Sequence, residues 1–163
     1  MIARWAKIIM CLSVATLAGL AALGNVLDYD TNFVFVRHVL TMDTVPSLTF
    51  KSRAITTPAL WHLSYILIIV GEAATALLFA GAGVALWRAR RAPAALFQRA
   101  KVWAHAGALG GFLVWFFGFM VVGGEWFQMW QSPAWNGQEA AFRFFVAVLA
   151  VLIFVNQPDQ ELV

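Results

Sequence analysis

The sequence predicts an all-α protein: a four-helix transmembrane bundle with both termini in the cytoplasm and a short interfacial helix in the first outer loop. Three observations predict this fold class. Hydrophobic residues make up 62% of the 163 residues and charged residues only 12%, whereas a soluble domain carries roughly 25% charged residues. The mean hydropathy is +0.78. Four apolar stretches approach the roughly 20 residues that a helix needs to cross a bilayer.

Each of these apolar stretches is predicted to be one spanning helix. The predicted spans cover residues 8–27, 59–87, 102–122 and 137–155. The second is longer than a bilayer requires, which indicates that it tilts or projects from one face. The fourth has a short apolar core and reaches full length only if the turn from Gly137 belongs to it. We see no internal repeat or second domain, so residues 1–163 are predicted to form a single integral membrane domain.

The first span has one alternative interpretation, a secretory signal peptide. Arg4 and Lys7 precede its apolar run, and the small residues Ala22 and Gly24 lie near its end, where a cleavage site would be. The run is longer than the apolar region of a usual signal peptide. We therefore predict a retained helix.

The basic residues predict the orientation of the helices. Seven of them flank the spans on one side and three on the other, and the excess of Lys and Arg marks the cytoplasmic side. The larger group is Arg4, Lys7, Arg88, Arg90, Arg91, Arg99 and Lys101, and the smaller is Arg37, Lys51 and Arg53. This topology explains the net charge of +3 without a nucleic-acid partner.

The two predicted outer loops are rich in aromatic residues. In the first, residues 32–44 place Phe33, Val36 and Leu40 at helical spacing, which predicts a short helix at the membrane surface. The second, residues 123–136, contains no Lys or Arg and includes Trp126, Trp130 and Trp135. Tryptophan rings prefer the headgroup layer, so an aromatic belt explains most of that loop.

Three phrases of the sequence are more particular than general lipid-facing sequence. They are NVLDYDTNFVFVRHVLTMDT at residues 25–44, WHLSYILIIVGE at 61–72 and GGEWFQMWQSPAWNGQEAAFRF at 123–144. Together they resemble the bacterial family of predicted small integral membrane proteins called domain of unknown function 2165, over nearly the whole chain. The resemblance implies a multi-pass protein of the bacterial inner membrane with four helices. It implies no particular activity.

Glu72 is predicted to lie near the middle of the second span, on the same helix face as Tyr65. A charged group at membrane depth costs at least about 2.5 kcal/mol on insertion scales, so it usually pairs, faces the bundle interior or serves a function. Arg143, on the fourth span, has a side chain long enough to approach the same depth. We therefore expect an ion pair between Glu72 and Arg143. Alternatively, Glu72 is a protonated, hydrogen-bonded carboxyl, a proton carrier or a ligand-binding group.

The predicted outer boundary gathers several side chains that can bind metal ions. Imidazole and carboxylate ligands suit zinc, iron or copper, and the sequence offers His38, His62 and Asp43 there. A metal ion at the outer face is therefore one expected cofactor. No HExxH or CxxC motif supports it, and Cys11 is the single cysteine. Polar groups that cap helix ends are the alternative.

A haem held by two histidines is not favoured. His62 begins the second span on the predicted outer side, and His105 lies about one turn into the third span from the inner side. Roughly 20 Å of bilayer depth separates them, so they cannot share one iron.

Three functional hypotheses follow. The first is a non-catalytic membrane protein, either an accessory subunit of a larger complex or a ligand-binding module with its site at the outer end of the bundle. The residues assigned to that site are Asp28, Tyr65, Glu125, Trp126 and Trp130. The second is a small transporter or channel that uses Glu72 and Arg143, and the third is a metal-dependent membrane oxidoreductase. The expected partners are membrane lipid and a membrane protein complex or a second copy of the chain.

Enzyme motifs do not help to choose among these hypotheses. The sequence has no GxSxG elbow, P-loop or GxGxxG turn. No nucleophile and no acid and base pair can be assigned, so no catalytic residue is predicted.

Overall fold

Six α-helices form most of residues 1–161, the part of the chain that the computed structural model describes. They are α1 (Ile2–Leu27), α2 (Tyr29–Thr41), α3 (Pro58–Ala89), α4 (Ala94–Arg99), α5 (Val102–Gly111) and α6 (Gln138–Asn156). A π-helix, Phe112–Trp126, continues α5, and short 3₁₀ turns lie at Lys51–Arg53 and Met129–Gln131. No strand occurs within residues 1–161, which confirms the all-α prediction.

Four helical segments are long and apolar enough to cross a membrane, which confirms the predicted four-helix bundle. They are Ile2–Leu27, Pro58–Ala89, Ala94–Trp126 and Gln138–Asn156, with mean hydropathies of 1.9 to 2.0. Large apolar side chains cover their outer faces: Leu20, Leu67 and Leu77 are 62%, 61% and 73% exposed. Lipid, rather than water, is the solvent that such a surface suits.

Because the chain crosses the bundle four times, the N-terminal helix starts beside the segment that follows α6. Arg4 donates to the Gln160 carbonyl at 3.1 Å and Lys7 to the Gln157 carbonyl at 2.6 Å. We call this the terminal end, which comprises residues 1–7, 90–101 and 157–161. The opposite end, the loop end, comprises Asp28, α2 and the segments 42–57 and 125–137.

The helix α3 is the centre of the bundle, since it packs along α1 on one side and α5 on the other, while α6 packs on the π-helix. Small residues permit the close approach of these helices. A Cβ atom on Gly107 would lie 2.8 Å from the ring of Phe79, and one on Gly83 would meet Leu12. Phe79 is fully buried. The core is therefore closely packed where α3 meets α1 and where it meets α5.

The helix predicted in the first outer loop is present, three residues earlier than expected. After α1 ends, only Asp28 interrupts the helical path, and its N–H donates to the Gly24 carbonyl at 2.9 Å. The helix α2 ends at Thr41, and the next residue, Met42, adopts the left-handed conformation with φ of 52° and is fully buried. Because Asp28 is the only break, α2 stays close to the end of α1.

The third span changes helix type halfway along its length. From Phe112 to Trp126 its hydrogen bonds join residues five apart, as in the 3.0 Å bond from the Phe127 N–H to the Val122 carbonyl. Such π-helical hydrogen bonding is rare and usually confined to single turns. Trp115 and Phe119 lie on this segment, and both face the cavity described next.

Candidate functional site

A cavity of about 360 Å³ lies near the loop end, between α1, α3, the π-helix and α6. A second cavity of about 190 Å³ extends towards α2. The residues that line both are Asn25, Asn32, Glu72, Phe119 and Ala140. Most of the remaining lining is apolar or aromatic. Among the described residues, Glu72 is the one charged side chain in this lining.

Glu72 belongs to a short hydrogen-bond chain in the wall of the cavity. The Asn25 Nδ2 donates to Glu72 Oε2 at 2.7 Å. The Tyr65 hydroxyl lies 3.0 Å from the Asn25 carbonyl and 3.2 Å from its Oδ1, and donates to them. Tyr65 is 1% and Glu72 4% exposed. The amide of Asn25 is thus oriented from both sides, with its donor towards the carboxylate and its acceptor towards the phenol.

Helix geometry explains why these three side chains meet. Tyr65 and Glu72 are seven residues apart, which places them on one face of α3. Asn25 is in the last turn of α1, just before the break at Asp28. Since α1 packs along α3, the end of α1 lies beside the middle of α3. The Glu72 carboxylate is therefore held by the side-chain amide of Asn25, at the end of α1, rather than by a cation.

The predicted ligand-binding residues are only partly brought together. Tyr65 lines the smaller cavity. Asp28 and Glu125 are exposed, and neither lines the two cavities described above. Trp126 and Trp130 are about half exposed at the loop end. Trp126 contacts Arg53, whose guanidinium lies 4.6 Å from the centre of its ring. These four residues form part of the loop end surface, apart from the cavity.

Sequence reasoning missed most of the side chains that shape the cavity. Asn25 and Asn32 were not singled out, although both lie in the phrase that carries the family resemblance. Two polar amides near a break between helices were the available signal. No comparable signal marked Trp115 and Phe119, because aromatic residues are common in the core and on the lipid-facing side of spanning helices.

The ion pair predicted between Glu72 and Arg143 is not formed, and this prediction is corrected. The Arg143 guanidinium pairs with Glu139, one turn earlier on the same helix. Their side chains are 72% and 81% exposed. The helix α6 begins at Gln138, so Glu139 and Arg143 stand four residues apart on its outer face, where they satisfy each other. Glu72 faces α1 instead.

Arg143→Gln is therefore expected to change the free energy of unfolding by less than about 0.5 kcal/mol, the value typical of an exposed pair at this spacing. Thermal unfolding of the purified protein in detergent measures the change, with Glu139→Gln as the matched variant. A loss of several kcal/mol in Arg143→Gln alone would show that Arg143 has a buried partner.

The predicted metal site is also corrected, because its residues do not converge. His38 Nδ1 lies 2.7 Å from Asp43 Oδ2, and its ring stacks on Trp135. His62 lies elsewhere: its Nδ1 is 2.8 Å from the Tyr29 hydroxyl. Tyr29 and His38 are nine residues apart on α2, about 13 Å along its axis. Within residues 1–161, no three His, Cys, Asp or Glu side chains are arranged to hold a metal ion.

A second polar cluster lies at the terminal end. Its basic residues Lys7 and Lys101 are predicted from the sequence only as topology signals, and its acidic residue Asp159 is not predicted. Lys7 Nζ lies 2.9 Å and Lys101 Nζ 2.5 Å from Asp159 Oδ2. Both ammonium groups also donate to the Gln157 carbonyl, at 2.6 and 2.7 Å. Lys7 is 2% and Lys101 0% exposed. We call this cluster of Lys7, Lys101 and Asp159 the tail clamp.

Arg4 strengthens the attachment of the same segment. Its guanidinium donates to the carbonyls of Ala92, at 2.6 Å, and Gln160, at 3.1 Å. It also lies 4.7 Å from the centre of the Phe97 ring, a cation–π distance. Residues after α6 are thus held between the start of α1 and the α3–α4 connection.

The charges of the tail clamp perturb Asp159. Burial by itself raises the pKa of this carboxyl, but hydrogen bonds from Lys101 and Lys7 lower it by more. The pKa of Asp159 therefore lies below its ordinary value, and the group is a carboxylate at neutral pH. The terminal end is a structural ion cluster, whereas the polar groups of the cavity near the loop end face open space.

Comparison with known proteins agrees with this architecture. No curated protein and no solved structure matches the chain. One family model matches residues 3–158, nearly the whole chain, and its description is predicted small integral membrane protein. The chain belongs to this family, DUF2165.

Proposed function

We propose that this protein is a ligand-binding module of the bacterial inner membrane, and that one small ligand occupies the cavity beside Glu72. One observation carries the proposal: a buried carboxylate and two Asn amides line a cavity whose other residues are apolar or aromatic. Binding sites typically combine such a lining with a few placed polar groups. The cavity volume of about 360 Å³ is near the lower limit of the roughly 300–1,000 Å³ usual for such sites.

The hydrogen bonds of Glu72 suggest what the ligand supplies. Asn25 donates to Oε2, and a carboxylate can accept several further hydrogen bonds. A ligand with a hydrogen-bond donor would complete the set. Asn32, which also lines the cavity and is exposed, adds an amide that can donate to or accept from the same ligand.

The orientation that we propose places the terminal end in the cytoplasm. The seven basic residues counted from the sequence flank the spans at this end, and Arg37, Lys51 and Arg53 lie at the loop end. The excess of basic residues supports this orientation. In it, the cavity lies in the outer half of the bilayer.

Glu72→Gln is expected to weaken ligand binding about ten- to one-hundred-fold, because a hydrogen bond to a charged group contributes about 1.5–3 kcal/mol. The measurement is native mass spectrometry of the purified protein exposed to a total membrane extract. We expect a bound small molecule in the wild type and its loss in the variant.

Gly24→Trp tests the location of the site without touching Glu72. Gly24 lines the cavity, and no heavy atom lies within 4 Å of a Cβ built on it. The large ring therefore has room to enter the mouth of the cavity, and binding should fall. Leu23→Trp, next to it but outside the lining, is the matched control. Equal retention by the wild type, Gly24→Trp and Leu23→Trp would contradict the proposal, as would a wild type that retains nothing.

A further inference from the structure

We infer that the ligand is a lipid-soluble amphiphile with a protonated amine head, and that it reaches Glu72 sideways from the bilayer, between α1 and α6. This inference rests on the proposed function and adds the chemical class of the ligand and its route.

The charge of the site favours a cationic head. Glu72 is the one charged residue that the described part of the chain contributes to the cavity, and its hydrogen-bond partner Asn25 is neutral. Arg143 is the one basic residue of α6, and it pairs with Glu139 rather than with Glu72. A carboxylate buried without a counter-charge is costly. An ammonium group seated beside Glu72 would supply that charge.

The aromatic residues of the cavity favour the same head. Trp115 and Phe119 line it from the π-helix and Phe144 from α6. Ammonium groups are attracted to the faces of aromatic rings, most strongly to tryptophan. A carboxylate together with aromatic walls is suited to an amine and gives no such advantage to an alcohol or an acid.

The rim of the cavity indicates the route. Leu20 and Gly24 of α1 and Ala140 of α6 line the cavity and are exposed. Leu20 belongs to the apolar stretch of the first span and is 62% exposed, so it faces lipid. An alkyl chain can lie along this apolar rim while its head reaches the carboxylate. The volume of about 360 Å³ accommodates a head and a few methylenes, and the rest of the chain stays in lipid.

The test uses the full chain in phosphatidylcholine nanodiscs at neutral pH, with tritiated decylamine as the bound probe and empty nanodiscs as the baseline. Unlabelled decylamine, decanol and butylamine compete for the site, and concentrations are compared in the lipid phase for the two long-chain probes. Decylamine should compete at least tenfold better than decanol, because only the amine neutralises Glu72. It should also compete at least tenfold better than butylamine, which is water-soluble and lacks a chain for the rim.

Two variants make the result independent of any one substitution. Glu72→Gln should abolish the preference for amine over alcohol. Gly24→Trp should reduce decylamine binding at least tenfold, while the matched Leu23→Trp leaves it unchanged.

The opposing outcomes are distinct. If decanol competes as well as decylamine and both depend on Gly24, the amine class is wrong and the proposed function stands. If butylamine competes as well as decylamine, the lateral route is wrong. If decylamine binds no better than to empty nanodiscs while the membrane extract yields a ligand, this inference fails alone. If the extract also yields none, the proposed function fails with it.

Discussion

Asp159→Ala is expected to destabilise the protein by about 3–5 kcal/mol, the cost typical of removing one partner from a buried ion cluster. Its carboxylate contacts both Lys7 and Lys101, at 2.9 and 2.5 Å, and is 3% exposed itself. Removing it leaves two buried ammonium groups side by side, and their remaining acceptors within residues 1–161 are carbonyl and amide oxygens. The free energy of unfolding, measured by denaturant titration in mixed micelles, reports the loss.

Two controls separate the charge from the hydrogen bonds of Asp159. Asp159→Asn keeps an acceptor oxygen but loses the charge, so it should retain only part of the stability. Glu161→Gln alters a nearby exposed residue that accepts the Ala94 N–H, and it should change stability by less than about 1 kcal/mol. If Asp159→Ala were as stable as Glu161→Gln, the tail clamp would not contribute to stability as predicted.

Acidification should reproduce the effect of Asp159→Asn. The pKa of Asp159 is lowered in the folded protein, so its stabilising contribution is complete above its ordinary pKa of about 3.9. That contribution is lost as the pH falls from there through the lowered pKa. The wild type should therefore lose stability more steeply than Asp159→Asn below about pH 4.

Phe79→Ala is expected to cost about 2 kcal/mol. Lipid is as apolar as a protein core, so little is lost in transferring the side chain between them. The cost arises from the cavity, roughly 100 Å³ at about 24 cal/mol per Å³. Phe79 is fully buried and fills the space opposite Gly107. Leu77→Ala, on the same helix with a side chain 73% exposed, is the matched control and should change stability by less than about 0.5 kcal/mol.

The contact with Gly107 provides a further check on the Phe79 prediction. A Cβ on Gly107 would lie 2.8 Å from the Phe79 ring, so Gly107→Ala should destabilise the wild type. In the Phe79→Ala background the same change should be tolerated, because the ring is gone. Additive losses in the double variant would show that the two residues do not share this contact.

The fold could be predicted because the bilayer imposes the same two requirements on every span. A spanning segment must bond its own backbone and must be apolar over about 20 residues, and both conditions are visible in the sequence. The predicted helix ends were less accurate. The first helix begins at Ile2 rather than residue 8, since Arg4 and Lys7 extend it into a buried ion cluster that hydropathy counts as solvent-exposed.

The type of helix could not be predicted. Apolar composition does not distinguish a segment with π-helical hydrogen bonds from an α-helix, so nothing in residues 112–126 indicated the change at Phe112. The position of Trp115 relative to the cavity depends on that change. A pattern with a period of 3.6 residues therefore could not predict where the side chains of this span point.

The candidate site was partly predictable for a similar reason. Glu72 and Tyr65 stand out because polar groups within a span are rare and costly. Their partner Asn25 does not stand out in the sequence. Helix spacing relates residues on one helix, and it does not tell which residue of a neighbouring helix lies opposite. Arg143 was chosen for its charge and length, yet Glu139 lies four residues from it and Asn25 lies next to Glu72. Spacing along α6 decided the pairing of Arg143, whereas proximity between α1 and α3 decided the pairing of Glu72.

The tail clamp also constrains the order of events during biosynthesis. Lys7 and Lys101 enter the membrane region with the first and third spans, yet Asp159 leaves the ribosome only after all four spans have been translated. Until then both lysines must keep their ammonium groups hydrated near the headgroups. The tail clamp is thus a late contact, which forms when the polypeptide beyond α6 folds back against the start of α1.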